Sequence, residues 1–372
     1  MLDRIRQRLP PALEYPLLGA AARARQAAAL AGVWRWTRRP LPAPEGEPYE
    51  VVFVGPLSLW GRAASLVGCS EGRGAWAGPT RPAGTALVSG FPVPGWTRVP
   101  WQLNTVVRLG RPVDALLADH NRKVARRLRA LRMRARLEPV RDDTDVVRLS
   151  REMIEPFAVA RHGEVTTHVS LDRMRSVARG PGRLDLLYFD GEPVGCELGT
   201  VRVRGRQRRW VSLRFGCPRG VFSDPERLAE ANSLATYLEM VRALEDGFDV
   251  YDMGSSPARP DGGLLQWKRK RGGELDALLP DGFFWVRPPR PGAARFLWNT
   301  PLFGVEGAGI VLHLGLPEAA TDDDVAARYR DMGFRGLSEV RLHCARPPGE
   351  ALLARLRELH ERPPPVRVVP AD

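Results

Sequence analysis

Residues 184–252 restrict the fold more than any other stretch. LDLLYF (184–189) is followed by Asp190-Gly191-Glu192 and then by two longer β-patterned runs, 193–203 and 208–215. Asp-Gly is a residue pair that two-residue type I′ hairpin turns select, because both central positions need positive φ. The two longer runs join at Arg204-Gly205-Arg206, so three consecutive antiparallel strands are expected. A helical pattern over 225–245 ends before Gly247, a C′ glycine, and FDVYD (248–252) is the next strand. A helix between strands returns the chain to its sheet, so the expected class is α/β (α+β).

The flanks extend this pattern. Residues 135–140 are expected as a strand, 144–158 as a helix capped by Thr144, and 170–178 as a helix capped by Ser170. A continuous helix is expected over 113–134. Its apolar stripe is Leu116, Leu117, His120, Val124, Leu128 and Leu131. Arg122, Arg126 and Arg129 form a separate face, with Arg127, Arg132 and Arg134 nearby. After 252 come a Gly/Ser/Pro loop, a short helix at 262–270 and a closing pair of strands at 274–278 and 283–287.

Towards the N-terminus, 1–39 is expected to be helical and 40–49 to be a Pro-rich linker. A strand at 50–55, a helix at 59–70 and strands at 86–89 and 104–108 follow. At the other end, 308–372 has the pattern of a small βαβαβ unit. Its strands are 309–314, 339–344 and 366–369, and its helices are 321–332 and 349–361. Thr321 caps the first helix ahead of three aspartates, which suit the helix dipole.

Composition bounds the partners. The net charge of +13 over 372 residues favours polyanions: nucleic acid, phosphorylated cofactors or an anionic membrane face. Of 56 basic side chains only Lys123, Lys268 and Lys270 are lysines. A lysine kept in so arginine-rich a chain marks a position that needs a compact ammonium, or else a chance cluster on solvated surface. Cys69, Cys196, Cys217 and Cys344 are widely spaced, with no CxxC pair and no histidine at zinc-ligand spacing. No metal is therefore expected, and the setting is expected to be reducing and cytoplasmic. Arg23 and Arg25 interrupt the best apolar stretch near the start, so no signal peptide is expected, and no 18-residue apolar run occurs, so no membrane span is expected.

The element order over about 135–288 resembles that of a GNAT acyltransferase domain. LDLLYFDGEPVGCELG resembles the family's strand-DG-strand hairpin, and Asp249-Val250-Tyr251-Asp252-Met253-Gly254 is similar to a strand end of the Fem-like branch. DGGLLQWKRKRGG (261–273) and NRKVARRLR (121–129) resemble two further Fem-like elements. The resemblance implies tandem GNAT-like lobes. Residues 50–134 would be a degenerate first lobe ending in the basic helix, 135–290 a complete second lobe, and 1–49 and 308–372 additions.

It also implies attack of an amine on an activated acyl carbonyl. The donor is aminoacyl-tRNA, with acetyl-CoA or another acyl-CoA as the alternative. The acceptor is a small-molecule or peptide amine, and no tightly bound cofactor is implied. By that resemblance Lys268 pairs with donor phosphate or the developing oxyanion, the alternative being a solvated lysine on a short helix. Asp252 orients the amine or holds the following loop, the alternative being a carboxylate that caps the Gly-Ser turn. Arg214, Lys270, Arg271, Lys123, Arg122, Arg126 and Arg129 are the donor-side candidates, with Lys270 the more solvated neighbour of Lys268. Arg161, His162 and Tyr251 are the acceptor-side candidates.

One departure stands out. After the strand at 208–215 the chain has GCPRGVFSDP in place of the glycine-rich pyrophosphate loop of acetyl-CoA enzymes, and Asp224 at the helix entrance opposes an anion. This favours aminoacyl-tRNA, and equally fits an unusual CoA site. A non-catalytic, nucleic-acid-binding protein of the same fold is a third reading.

Overall fold

The computed structural model describes residues 24, 36–41, 49–67, 84–162, 169–276, 282–359 and 363–371. The first part of the chain holds strands β1 (Trp36–Leu41) and β2 (Tyr49–Pro56), helix α1 (Trp60–Leu66), and strands β3 (Gly84–Ser89), β4 (Thr97–Pro100) and β5 (Gln102–Arg108). Helices α2 (Val113–Ala118) and α3 (Arg122–Leu131), strand β6 (Ala135–Pro139), and helices α4 (Asp143–Leu149), α5 (Glu155–His162) and α6 (Leu171–Arg179) follow. Next come β7 (Arg183–Phe189), β8 (Glu192–Arg204), β9 (Gln207–Gly216), α7 (Arg219–Phe222), α8 (Pro225–Glu245), β10 (Val250–Pro257) and α9 (Gly263–Arg269). The remainder is β11 (Glu274–Asp276), β12 (Phe283–Arg287), α10 (Ala293–Asn299), β13 (Leu302–Glu306), β14 (Gly309–Leu316), α11 (Asp322–Met332), β15 (Glu339–Cys344), α12 (Glu350–Glu358) and β16 (Val366–Pro370).

The chain is of mixed α/β class and packs as two compact units, whose boundaries fall within β5, β10 and α9 and ahead of β11. Among its described residues, the first unit comprises Val106–Gly254 and Lys268–Gly273. Its sheet runs β10-β9-β8-β7-β6. Strands β6 to β9 are successive antiparallel neighbours, while β9 and β10 are parallel. The Asp190-Gly191 turn forms as expected, with φ of 51° and 84°. Gly247, at φ 71°, ends α8 as a C′ glycine.

Helices cover the two faces of this sheet. Leu234, Ala235 and Tyr237 of α8 pack with Leu128 of α3 and with Leu187 and Val194. Leu149 of α4 and Met174 and Val177 of α6 pack with Leu184, Leu186, Cys196 and Leu198.

Three expectations for this unit need correction. The helix expected over 113–134 is broken at Asp119-His120-Asn121. His120 forms a bridge with Arg271, and the Asn121 side chain caps α3 by accepting from the Lys123 N–H at 3.0 Å. The cap of α4 is Asp142, not Thr144. Thr144 instead donates its N–H to the Asp142 carboxylate at 2.6 Å. Residues 150–154 form a π-helical turn inside a helical run that continues from 143 to 162, so the expected helix at 144–158 is present but longer and bulged.

The second unit contains a five-stranded sheet, β1-β2-β3-β12-β4, and a four-stranded sheet, β13-β14-β15-β16. Phe53, Val88, Phe284 and Phe296 lie in the core of the first. Leu312, Leu314, Val340 and Leu342 lie in the core of the second, under Val325 and Tyr329 of α11 and Leu352 and Leu356 of α12. The expected βαβαβ unit is present, with β14, β15 and β16 parallel, and β13 adds an antiparallel edge. Thr321 and Asp324 form a reciprocal capping box.

The expected closing pair does not form, since β12 pairs with β3 and β4 and lies in a different sheet from β11. Residues 36–41, expected as helix and linker, are strand β1 paired with β2. Most of the expected N-terminal helix and linker lies outside the described residues.

A candidate active site where two parallel strands part

Strands β9 and β10 are in register from Arg209↔Val250 through Trp210↔Tyr251 to Val211↔Asp252. Strand β9 continues to Gly216 and β10 to Pro257, longer than the expected 248–252. Two residues after the last registered pair, Gly254 takes φ 75°, a left-handed conformation that a β-carbon would strain. Two side chains hold this residue from both sides. The Asp252 carboxylate accepts the Gly254 N–H at 2.8 Å, and the Lys268 ammonium Nζ donates to the Gly254 carbonyl at 2.7 Å.

Both side chains are enclosed: Asp252 is 0% exposed and Lys268 only 3%. Burial pushes the Lys268 ammonium down to about 7, an effect that the nearby Asp252 charge partly offsets. Burial pushes the Asp252 carboxyl up, opposed by the Gly254 N–H and by the charges of Arg202, Arg209 and Lys268. Arg209 Nη1 lies 3.8 Å from Asp252 Oδ2. An amine poised near neutrality beside a buried carboxylate is the arrangement that acid–base and charge-stabilising chemistry uses. The solvated-lysine alternative is thereby removed for Lys268. The turn-capping geometry anticipated as the alternative for Asp252 is present.

Lys268–Gly273 is tied into the first unit along its length. The N–H groups of Arg271 and Gly273 donate to the Lys268 carbonyl at 3.0 and 3.1 Å. The Asn121 N–H donates to the Lys270 carbonyl at 2.7 Å. Arg271 is 5% exposed, donates Nη2 to Ser233 Oγ at 2.5 Å, and is pushed down to about 9 by burial. Gly272 sits at φ 79°, where an added β-carbon would lie 2.9 Å from Asp119 Cβ.

The two lysine-bearing segments, 149 positions apart from Asn121 to Lys270 in sequence, therefore meet at one hydrogen-bonded junction. Around it Arg122, Lys123, Arg126, Arg129 and Lys270 are exposed. Arg127 instead bonds Glu230 at 2.6 Å and Glu226 at 3.0 Å, which anchors α3 to α8.

The remaining candidates make other contacts. Tyr251 alternates with Asp252 along β10 and faces the other side of the sheet. Its hydroxyl donates to Glu197 Oε1 at 2.8 Å. Arg214 is half-buried, donates to its neighbour's carbonyl (Leu213 O) at 2.8 Å, and is lowered by burial. Arg161 is exposed, 6.0 Å above the Phe157 ring, and His162 ends α5. Asp224 caps α8 by accepting the N–H groups of Glu226 and Arg227 at 2.8 and 3.2 Å. The donors that would cradle a pyrophosphate are thus already satisfied by a carboxylate.

Sequence reasoning missed Glu197. It is 2% exposed and pushed up to about 7, chiefly by burial. Asp185, its cross-strand partner on β7, and Glu239 of helix α8 are both 0% exposed. Asp185 is paired by Arg183, and by Arg242 at 2.8 Å. The available signal was an acid inside the otherwise apolar run VGCELG.

No protein-family model matches the chain, and no curated protein matches it in sequence. Among solved structures it is similar to FemX at 14% identity, covering 70% of this chain and 90% of that one, with a TM-score of 0.39. It is similar to L-PGS from Bacillus licheniformis at 12% identity, covering 75% and 94%, with a TM-score of 0.34. It is also similar to a GCN5-related N-acetyltransferase from Kribbella flavida at 14% identity, covering 72% and 95%, with a TM-score of 0.28.

Proposed function

We propose that the chain is an acyltransferase of the Fem-like GNAT type, moving an aminoacyl group from aminoacyl-tRNA to an amine. The observation that carries this reading is the enclosed Lys268–Asp252 pair gripping Gly254 where β10 leaves β9. The acceptor nitrogen attacks the ester carbonyl, the bond from carbonyl carbon to ribose oxygen breaks, and the proton lost by the amine ends on that oxygen. Lys268 supplies positive charge beside the developing oxyanion, in a site dry enough for that charge to act strongly. Asp252 keeps the strand end in place and balances the lysine.

The cationic surface beside Lys270, formed by Arg122, Lys123, Arg126 and Arg129, receives the donor's phosphates. The carboxylate-capped start of α8 favours tRNA over CoA, because the usual pyrophosphate cradle is occupied. Incubation of an amine panel with charged tRNA, or with acetyl-CoA, each with and without RNase, tests the reading. Amide product that depends on charged tRNA and is abolished by RNase is expected. RNase-resistant product from acetyl-CoA alone would replace it with a CoA-dependent enzyme, and RNA binding with no product would replace it with a binding protein.

A further inference from the structure

The β8–β9 hairpin carries five arginines in eight positions: Arg202, Arg204, Arg206, Arg208 and Arg209. Its register, Arg202↔Arg209, Val203↔Arg208 and Arg204↔Gln207 around Gly205 at φ 58°, fixes where they lie. Pleat alternation puts Arg202, Arg204 and Arg209 on one face, Arg208 on the other and Arg206 in the turn. Arg204, Arg206 and Arg208 are exposed.

Packing differs along this ladder. Arg209 is 3% exposed, with Nε on Gln207 Oε1 at 2.9 Å and Nη1 near Asp252. Arg208 lies 4.6 Å above the Phe248 ring, and its backbone N–H donates to Asp249 at 2.7 Å. The face bearing Arg202 and Arg204 is the face of Val211 and Asp252. From the Arg204–Gln207 pair to Val211 is four residues, or ~13 Å of strand.

A single bound phosphate needs cations converging on one point. Here the cations cover both faces and the turn of a two-stranded ribbon, an arrangement suited to phosphates that surround it. We propose that the β8–β9 hairpin docks the phosphodiester backbone of a folded RNA, making a second RNA contact besides the α3 surface. This rests on the reading that the donor arrives on tRNA.

The test measures binding of deacylated bulk tRNA, an adenosine-ended trinucleotide and acetyl-CoA by fluorescence anisotropy over a salt series. Arg204→Glu combined with Arg206→Glu is compared with wild type, and Arg206→Gln provides a milder variant. Arg346→Glu, an exposed arginine of the other unit, controls for charge reversal away from the hairpin. The hairpin double variant is expected to bind tRNA at least tenfold more weakly. Its log–log salt slope should be about 2 units shallower, since each lost phosphate contact releases about one counterion fewer. Trinucleotide and acetyl-CoA binding should not change, and the control should stay near wild type.

Three outcomes would overturn the proposal: no salt-dependent tRNA binding by wild type, an unchanged slope in the hairpin variants, or an equal loss for all three probes. If tRNA-dependent amide formation survives with an unchanged slope, the hairpin proposal alone fails. If no product forms with charged tRNA although the hairpin binds, the functional reading fails instead.

Discussion

Burial of Lys268 has a thermodynamic consequence that needs no substrate to detect. In the fold its ammonium is pushed from 10.5 to about 7. The unfolded chain therefore holds more protons between pH 7 and 10.5, and the fold gains stability as pH rises through that window. The full difference of about 3.5 units corresponds to roughly 5 kcal/mol, at about 1.4 kcal/mol per unit. Between pH 7.0 and 8.5 the folded lysine is itself still partly protonated, which leaves about one to two kcal/mol. Lys268→Met keeps the stem and removes the titration. Urea unfolding of both chains at pH 7.0 and 8.5 should give a wild-type minus variant difference that rises by about one to two kcal/mol in favour of wild type. Because each chain is its own reference, the other groups that titrate in this range cancel. Parallel behaviour of the two chains would show that the ammonium keeps an ordinary affinity for protons and would refute the enclosed-site argument.

Three further outcomes follow from other features of the fold. Glu197, raised to about 7 by burial, stabilises the fold at low pH and loses that contribution as pH rises from about 4.5 to 7. Glu197→Gln should therefore lose about 2 kcal/mol less than wild type between pH 5 and 7 in urea unfolding. His313 and His343 are stacked with Nδ1 and Nε2 3.0 Å apart, and burial pushes them down to about 3 and about 4. Their neutral forms favour the fold, so melting temperature should fall as pH drops from 6.5 towards 4, and His343→Gln should flatten that slope. Gly315 lies where an added β-carbon would be 1.7 Å from the Ala294 carbonyl. Gly315→Ala should cost more than about 3 kcal/mol in unfolding measurements, because backbone must shift.

The parts of the fold legible in the sequence are those set by local chemistry. Asp190-Gly191, the Ser170 and Thr321 caps and the C′ glycine at 247 each act over a few residues. The misplaced features answer to distant partners. Helix 113–134 has an unbroken apolar stripe, yet it breaks at His120 because that backbone bridges to Arg271. The strand at 274–276 lacks any local sign that its neighbour is not 283–287.

The candidate site divides in the same way. Lys268 and Asp252 stood out by motif and by the rarity of lysine. The burial that lowers the lysine towards neutrality comes from enclosure within the unit and has no local signature. A short helix ending in WKRK presents as a solvated face, and Lys270 fits that description while Lys268 does not. Glu197 went unseen because one acid in an apolar strand looks like an interruption until Tyr251, far along the chain, is placed against it.

The central claim is that one compact ammonium at position 268 serves the reaction. Turnover of Lys268→Arg and Lys270→Arg with charged tRNA and an accepted amine tests it most directly. The enclosed site has little room for a larger, delocalised guanidinium, so Lys268→Arg should lose about 10²–10³ in turnover per folded molecule, with the folded fraction measured alongside. Lys270→Arg, exposed beside it, should remain near wild type. Full turnover by Lys268→Arg would contradict the account.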